Sequence, residues 1–212
     1  MTARQGEALA SWVMIQADSI DEGAMRQRLV TIVRSNVRLM AVLETARTLA
    51  LPDWLVVSGA VYQGVLNHLT GRPADYGLKD YDLAYFDPSD TSYEAEDMVI
   101  RRVAAAFGPP LDQMVEVRNQ ARVHLWFEGH FGEPYAPLSC TAEALTRFTS
   151  ATFSVGVRLE PDRDMHVEAP FGLADLFALR LRPNPRRRTR GFAQTAASVQ
   201  ARWPEVTVEG AP

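Results

Sequence analysis

Asp80 and Asp82 are the residues whose type and spacing most directly suggest chemistry. They open a run, Asp80-Tyr81-Asp82-Leu83-Ala84-Tyr85-Phe86, that reads as a β-strand. Side chains alternate along a strand, so both carboxylates point to one side, about 7 Å apart along the backbone. Ala84 and Phe86 continue that side, and Tyr81, Leu83 and Tyr85 form the other. Both faces look covered, which is the mark of an interior strand. Two carboxylates on a core-facing row are costly unless something positive neutralises them, and a bound divalent cation is the simplest answer. A second Asp-x-Asp, Asp162 and Asp164, is a useful control. Flanked by Pro161 and charges, it reads as an exposed hairpin turn, so the motif gains meaning only from a buried strand.

Upstream, Trp54 to Val57 reads as a short apolar strand, followed by a Ser58-Gly59 turn and a helix of about ten residues. Glycine lets the backbone approach a ligand closely, and the first amides of a helix are unpaired donors at a positive dipole end. A place for phosphate thus lies opposite a place for metal, and that pairing suggests nucleotide chemistry. Glu116, in the strand Met114 to Arg118, is a lone carboxylate among β-branched neighbours. It is either paired with an arginine such as Arg118 or a ligand. The polar residues Asn119, Gln120, Arg122, His124 and Trp126 that follow either line the site or form a satisfied loop network. His68, His124, His130 and His166 show no ligand spacing, which argues against structural zinc.

Further elements must position these groups. Residues 1–20 are weakly periodic and read as a frayed or disordered lead; Asp21 to Leu49 is helical, with a break at Ser35-Asn36. Pro52 ends that helix. Thr91 to Glu94 fits a capping box with Thr91 as N-cap, and the helix it opens ends at Gly108-Pro109. Beyond Pro137 the pattern gives a helix (Thr141 to Phe148), strands (Phe153 to Leu159 and Met165 to Glu168), a helix (Gly172 to Leu181) and an amphipathic segment (Phe192 to Trp203). Between the last two, residues 180–190 hold six arginines and no acid. The run is either a solvated loop or a contact for triphosphate or an RNA backbone.

The 212 residues make one domain over residues 21–212, with a helical and basic extension from about residue 172. A 47% hydrophobic, 23% charged composition is that of an ordinary soluble protein, and the net charge of −4 does not favour wholesale nucleic-acid binding. Cys140 is the single cysteine, so no intrachain disulfide forms and a reducing compartment fits. With no membrane-spanning run and a poor signal peptide, the expected location is cytoplasmic.

The order strand, small-residue turn, helix and strand bearing Asp-x-Asp resembles the DNA polymerase beta-like nucleotidyltransferase superfamily. The set SGAVYQGVLNHLTG, LKDYDLAYFD, EVRNQARVHLW and APFGLADLFALRLRPNPRRR is similar to a bacterial family described only as nucleotidyltransferase-like, over roughly Leu51 to Arg188. The resemblance implies an α+β fold, a mixed sheet flanked by helices. It implies an enzyme that uses two Mg²⁺ ions to move a nucleoside monophosphate from a nucleoside triphosphate to a hydroxyl, releasing pyrophosphate. Asp80 and Asp82 then hold metal, with Glu116 as the third carboxylate from a later strand. Ser58, Gly59, Lys79, Arg122, Arg186 and Arg187 form the expected nucleotide-binding set. The superfamily turn usually reads Gly-Gly or Gly-Ser; here it is Ser58-Gly59-Ala60. The alternative is a catalytically inactive nucleotide- or RNA-binding module on the same fold. The acceptor (an RNA end, a small molecule or a protein hydroxyl) stays open, because fold does not fix substrate. A dehalogenase-type phosphatase and a metal-dependent glycosyltransferase also use Asp-x-Asp, but there the apolar strand precedes the aspartates.

Overall fold

A computed structural model describes residues 22–187 and 191–210. The lead over residues 1–20 lies outside them, as do Arg188 and Arg190 of the arginine run. Helix α1 (residues 22–35) buries Leu29, Ile32 and Val33, and the expected break falls at Asn36. There the Asn36 side chain accepts from the Leu39 amide at 3.0 Å and caps α2 (Val37–Leu49). Ala50 in the left-handed region closes α2, and the chain turns into β1 (Leu55–Val57).

Next come α3 (Gly59–Leu69), β2 (Tyr81–Tyr85), α4 (Tyr93–Ala106) and β3 (Val115–Asn119). They are followed by α5 (Phe127–Phe131), α6 (Thr141–Leu145) and the hairpin β4 (Gly156–Leu159)–β5 (Met165–Glu168). The five strands form one mixed sheet in the order β3-β2-β1-β4-β5. β2 runs antiparallel to β1 and parallel to β3, so it is interior, as the alternation of its residues predicts. Tyr81, Leu83 and Tyr85 join Val56, Val117 and Val157 in the main core against the helices. On the opposite face Leu55, Val57 and Ala84 make a second, small cluster with Leu145 of α6 and Phe148. That face is covered at one end only.

The C-terminal part differs from the sequence expectation. Gly172 to Leu181 is not one helix: α7 spans only Ala174–Phe177, and Leu179 at φ 52° ends it. Arg180–Leu181 (β6) then pairs in parallel with Thr207–Val208 (β7). Phe153 to Val155 does not join β4 either, because the backbone there folds on itself: Ser154 N donates to Ala151 O at 3.2 Å and Val155 N to Phe153 O at 2.9 Å. The cap of α4 is Ser92, which accepts from Ala95 N at 3.2 Å; Thr91 is displaced because Asp90 accepts from the Ser92 amide at 2.9 Å in a local turn. Helix α8 (Phe192–Arg202) carries the fully buried Trp203 into the main core. Among the described residues no helix is long and apolar enough to cross a membrane.

Candidate active site

Strand register brings the carboxylates together. Asp82 on β2 is the direct partner of Glu116 on the parallel strand β3, and of Val57 on β1. Directly opposed residues point to the same face, so Asp82 and Glu116 stand side by side, with neighbouring strands about 5 Å apart. β2 begins at Tyr81, not at Asp80 as the sequence predicts, and Asp80 sits just before it with its negative charge acting on Asp82. Asp82 and Glu116 project from the face that α6 leaves open, and Asp80 lines a cleft with Gln63 and Arg202. Ser58 continues β1 one residue past Val57 and hands the chain to α3.

The electrostatics of Asp82 record this gathering. Its carboxyl is pushed up to about 6 from the usual 3.8, first by burial, then by the negative charge of Asp80; the Ser58 hydroxyl pulls it down, Glu116 pushes it up, and Arg118 lowers it. Burial and like charge both oppose ionisation, and a cation bound there would relieve both. The donors are hard carboxylate oxygens, which suit Mg²⁺. As the side chains stand, no three His, Cys, Asp or Glu groups among the described residues are drawn tightly around one point. The residues fit a divalent cation on charge and donor type.

Glu116 differs from its expected setting in one respect. β3 is an edge strand and Glu116 is exposed, so burial does not make its charge costly. The pairing with Arg118 that it could have made does not form among the described residues; Arg118 instead donates to the Val117 carbonyl at 3.0 Å. Arg118 lies two residues on, on the same face, and its positive charge acts on Asp82.

The turn is strained. Ser58 has φ 61° and ψ −137°, a region that glycine occupies freely and other residues rarely. Its hydroxyl does not cap α3, which leaves it to Asp82. At the next residue, a Cβ on Gly59 would sit 2.7 Å from Gln63 Nε2, so a larger residue there requires the end of the Gln63 side chain to shift. One turn into α3, Tyr62 stacks flat on Phe153, with ring centroids 3.7 Å apart. Burial raises the Tyr62 hydroxyl pKa against the lowering effects of Gln63 and Arg202, and the hydroxyl accepts from Gln63 Nε2 at 3.4 Å.

Two clefts flank the turn. One, of about 440 Å³, is lined by Lys79, Asp80, Gln63 and Arg202. Lys79 is exposed there beside Asp80. The other, of about 730 Å³, runs from Ser58 and Tyr62 to Phe131, with Arg147 and Arg187 on its wall. Arg187 is thus brought to the site region, held by Glu133 at 2.7 Å and lying over the Phe127 ring at 5.0 Å. Arg186 is not in that lining; it lies over the Phe171 ring at 5.2 Å. Arg180 and Arg182 both pair with Asp175, so this part of the run is tied into the fold.

Arg122 is placed away from the carboxylates. It follows the C-terminal end of β3, whereas Asp82 and Glu116 sit near the start of their strands. It forms a buried ion pair with Glu96 of α4 and donates to Thr91 O at 3.2 Å. Asn119 completes the network by accepting from the Asp87 and Ala121 amides, each at 3.0 Å. Asn119 and Arg122 thus belong to a loop network, while His124 Nδ1 is buried there without a partner, and Arg122 is withdrawn from the nucleotide-binding set. The second Asp-x-Asp is an exposed turn, with Asp162 accepting from the Asp164 amide at 3.0 Å.

Comparison with known proteins agrees with this geometry. A solved structure described as revealing a CCA-adding enzyme head domain superposes with a TM-score of 0.69 at 23% identity, over 87% of this chain and 96% of that one. That likeness shows the expected fold class, α+β with a mixed sheet flanked by helices. A search of curated proteins finds no match. The family model described as Nucleotidyltransferase matches residues 44–208, most of the chain and all of the turn, carboxylates and clefts, and the protein therefore belongs to that nucleotidyltransferase family.

Proposed function

We propose that the protein transfers a nucleoside monophosphate from a nucleoside triphosphate to a hydroxyl acceptor, with release of pyrophosphate, in a Mg²⁺-dependent reaction. The observation that carries this reading is the register of Asp82 against Glu116, with the charge of Asp80 acting on Asp82. Asp80, Asp82 and Glu116 would hold the metal. When bound, Mg²⁺ neutralises phosphate charge and lowers the pKa of a coordinated hydroxyl.

The chain's own groups divide the remaining work. The turn offers the Ser58 hydroxyl and the Gly59 and Ala60 amides, which have no helical acceptor, to the departing phosphates. Lys79 in one cleft and Arg187 in the other, the latter shared with Glu133, are the cations that would contact the triphosphate. Glu116, exposed on its edge strand, is placed to take the proton of the acceptor hydroxyl. The acceptor oxygen forms a bond to the α-phosphorus as the bond from that phosphorus to the pyrophosphate oxygen breaks. The electron pair leaves with pyrophosphate.

Incubation with α-labelled nucleoside triphosphates and Mg²⁺ tests the reading. The expected result is label on an acceptor from wild type and at least about a hundredfold less from Asp82→Asn, the scale of losing one principal electrostatic group. Nucleotide binding without transfer under every acceptor tried, including RNA, would instead favour the inactive binding module.

A further inference from the structure

The larger cleft has an aromatic end that the transfer chemistry leaves unused. Phe131, on α5, is 57% exposed and lines the cleft whose other end is Ser58. It is held in place from behind: its ring lies 4.6 Å from Phe127 and 4.6 Å from His130. Phe127 is in turn backed by Tyr135 at 4.5 Å and by Arg187. The result is a supported aromatic surface facing an open cavity of about 730 Å³, within the size range of small-ligand sites.

We infer that Phe131 is the stacking platform for the base of the incoming nucleoside triphosphate. The inference rests on the nucleotidyl-transfer reading, because that reading places phosphates at the Ser58 end of the same cleft. An exposed phenyl ring backed by other rings offers a π-face with little freedom to lose, and a nucleobase is the part of a nucleotide that matches it. The wall also carries two guanidiniums, of Arg147 and Arg187, and the Ser58 hydroxyl. Each guanidinium is already paired with a carboxylate, Arg147 with Glu143 at 3.1 Å and Arg187 with Glu133 at 2.7 Å, but a purely apolar occupant such as an acyl chain would still cut these polar groups off from water, whereas a nucleotide presents an aromatic end and an anionic end in the same molecule. Stacking is tolerant of base identity, so Phe131 supplies affinity for the nucleoside without choosing among the four bases.

Binding of nucleoside triphosphates and of inorganic tripolyphosphate, measured by calorimetry on wild type and Phe131→Ala, tests the inference. The expected result is a loss of nucleotide affinity of about 5- to 150-fold, the range for one base stacked on an aromatic side chain, with tripolyphosphate affinity unchanged. Phe131→Trp should retain nucleotide affinity. Equal nucleotide affinity in wild type and Phe131→Ala would overturn the platform and leave the transfer reading standing. Equal losses for nucleotide and tripolyphosphate would also overturn it, since the ring would then be supporting the cleft and not the base. Failure of wild type to bind any nucleoside triphosphate would overturn both.

Discussion

At the scale of single residues, the site trades stability for charge. Asp82 keeps a proton up to about pH 6 in the folded protein and releases it near 3.8 when unfolded. Between those values the folded state binds more protons than the unfolded one, so stability is greatest below the lower value and falls as pH rises through the upper one. Metal-free wild type at pH 7.5 therefore carries a cost on the order of 2–3 kcal/mol from this one group. Asp82→Asn should melt higher than wild type in EDTA at pH 7.5, and the gap should close as the pH is lowered toward 4; thermal melts across that range check it. A wild type at least as stable as the variant at pH 7.5 would contradict the burial of this charge. Ser58 carries a second cost, since its backbone conformation is worth about 1–3 kcal/mol of strain for a residue other than glycine. Ser58→Gly should be more stable than Ser58→Ala by about that amount in urea unfolding, although both lose the hydroxyl that faces Asp82. Part of this was legible in the sequence. The strand carrying Asp82 was legible, but its start at Tyr81 and the exposure of Glu116 were not, because strand ends and edge strands look like interior ones when only local composition is read.

At the scale of elements, two polar devices fix where the site forms. Asn67, fully buried on α3, donates to Ala74 O at 3.2 Å and Tyr76 O at 3.0 Å, and accepts from Trp203 Nε1 at 2.8 Å. It ties the loop that delivers Asp80 to both α3 and the segment after α8. Asn67→Ala should lower transfer activity as well as stability, because it frees that loop and leaves buried groups unpaired at about 1–3 kcal/mol each. Steady-state kinetics beside urea unfolding on the same preparation check this. Glu96 and Arg122 do the corresponding work on the other side, locking α4 to the end of β3. Arg122→Ala should cost about 3–5 kcal/mol of stability by leaving a buried carboxylate uncompensated. Nucleotide affinity, measured on the fraction that stays folded, should be unaltered. From sequence, Arg122 looked like a phosphate contact because it follows Glu116 closely. A basic residue's partner is set by tertiary packing, and the partner here is 26 residues away on α4. The split of Gly172 to Leu181 into α7 and β6 was hidden for a similar reason, since β6 exists only through its pairing with β7.

At the scale of the molecule, one mixed sheet has a helix-covered face that stabilises the fold and an opposite face that α6 covers at one end only. The periodicity of the sequence marks most of these elements, and the order strand, turn, helix, Asp-x-Asp strand marks the family. The aromatic wall of Phe127, Phe131 and Tyr135 was not legible, because it depends on a five-residue helix too short to give a periodic signal. The central claim is that Asp80, Asp82 and Glu116, delivered from two adjacent parallel strands, act together on a divalent cation. Its most direct test is a Mg²⁺ titration of thermal stability on wild type, Asp80→Asn, Asp82→Asn and Glu116→Gln. A rise in melting temperature with Mg²⁺ in wild type, reduced in each of the three variants, is the predicted result; the same rise in all four proteins would contradict it.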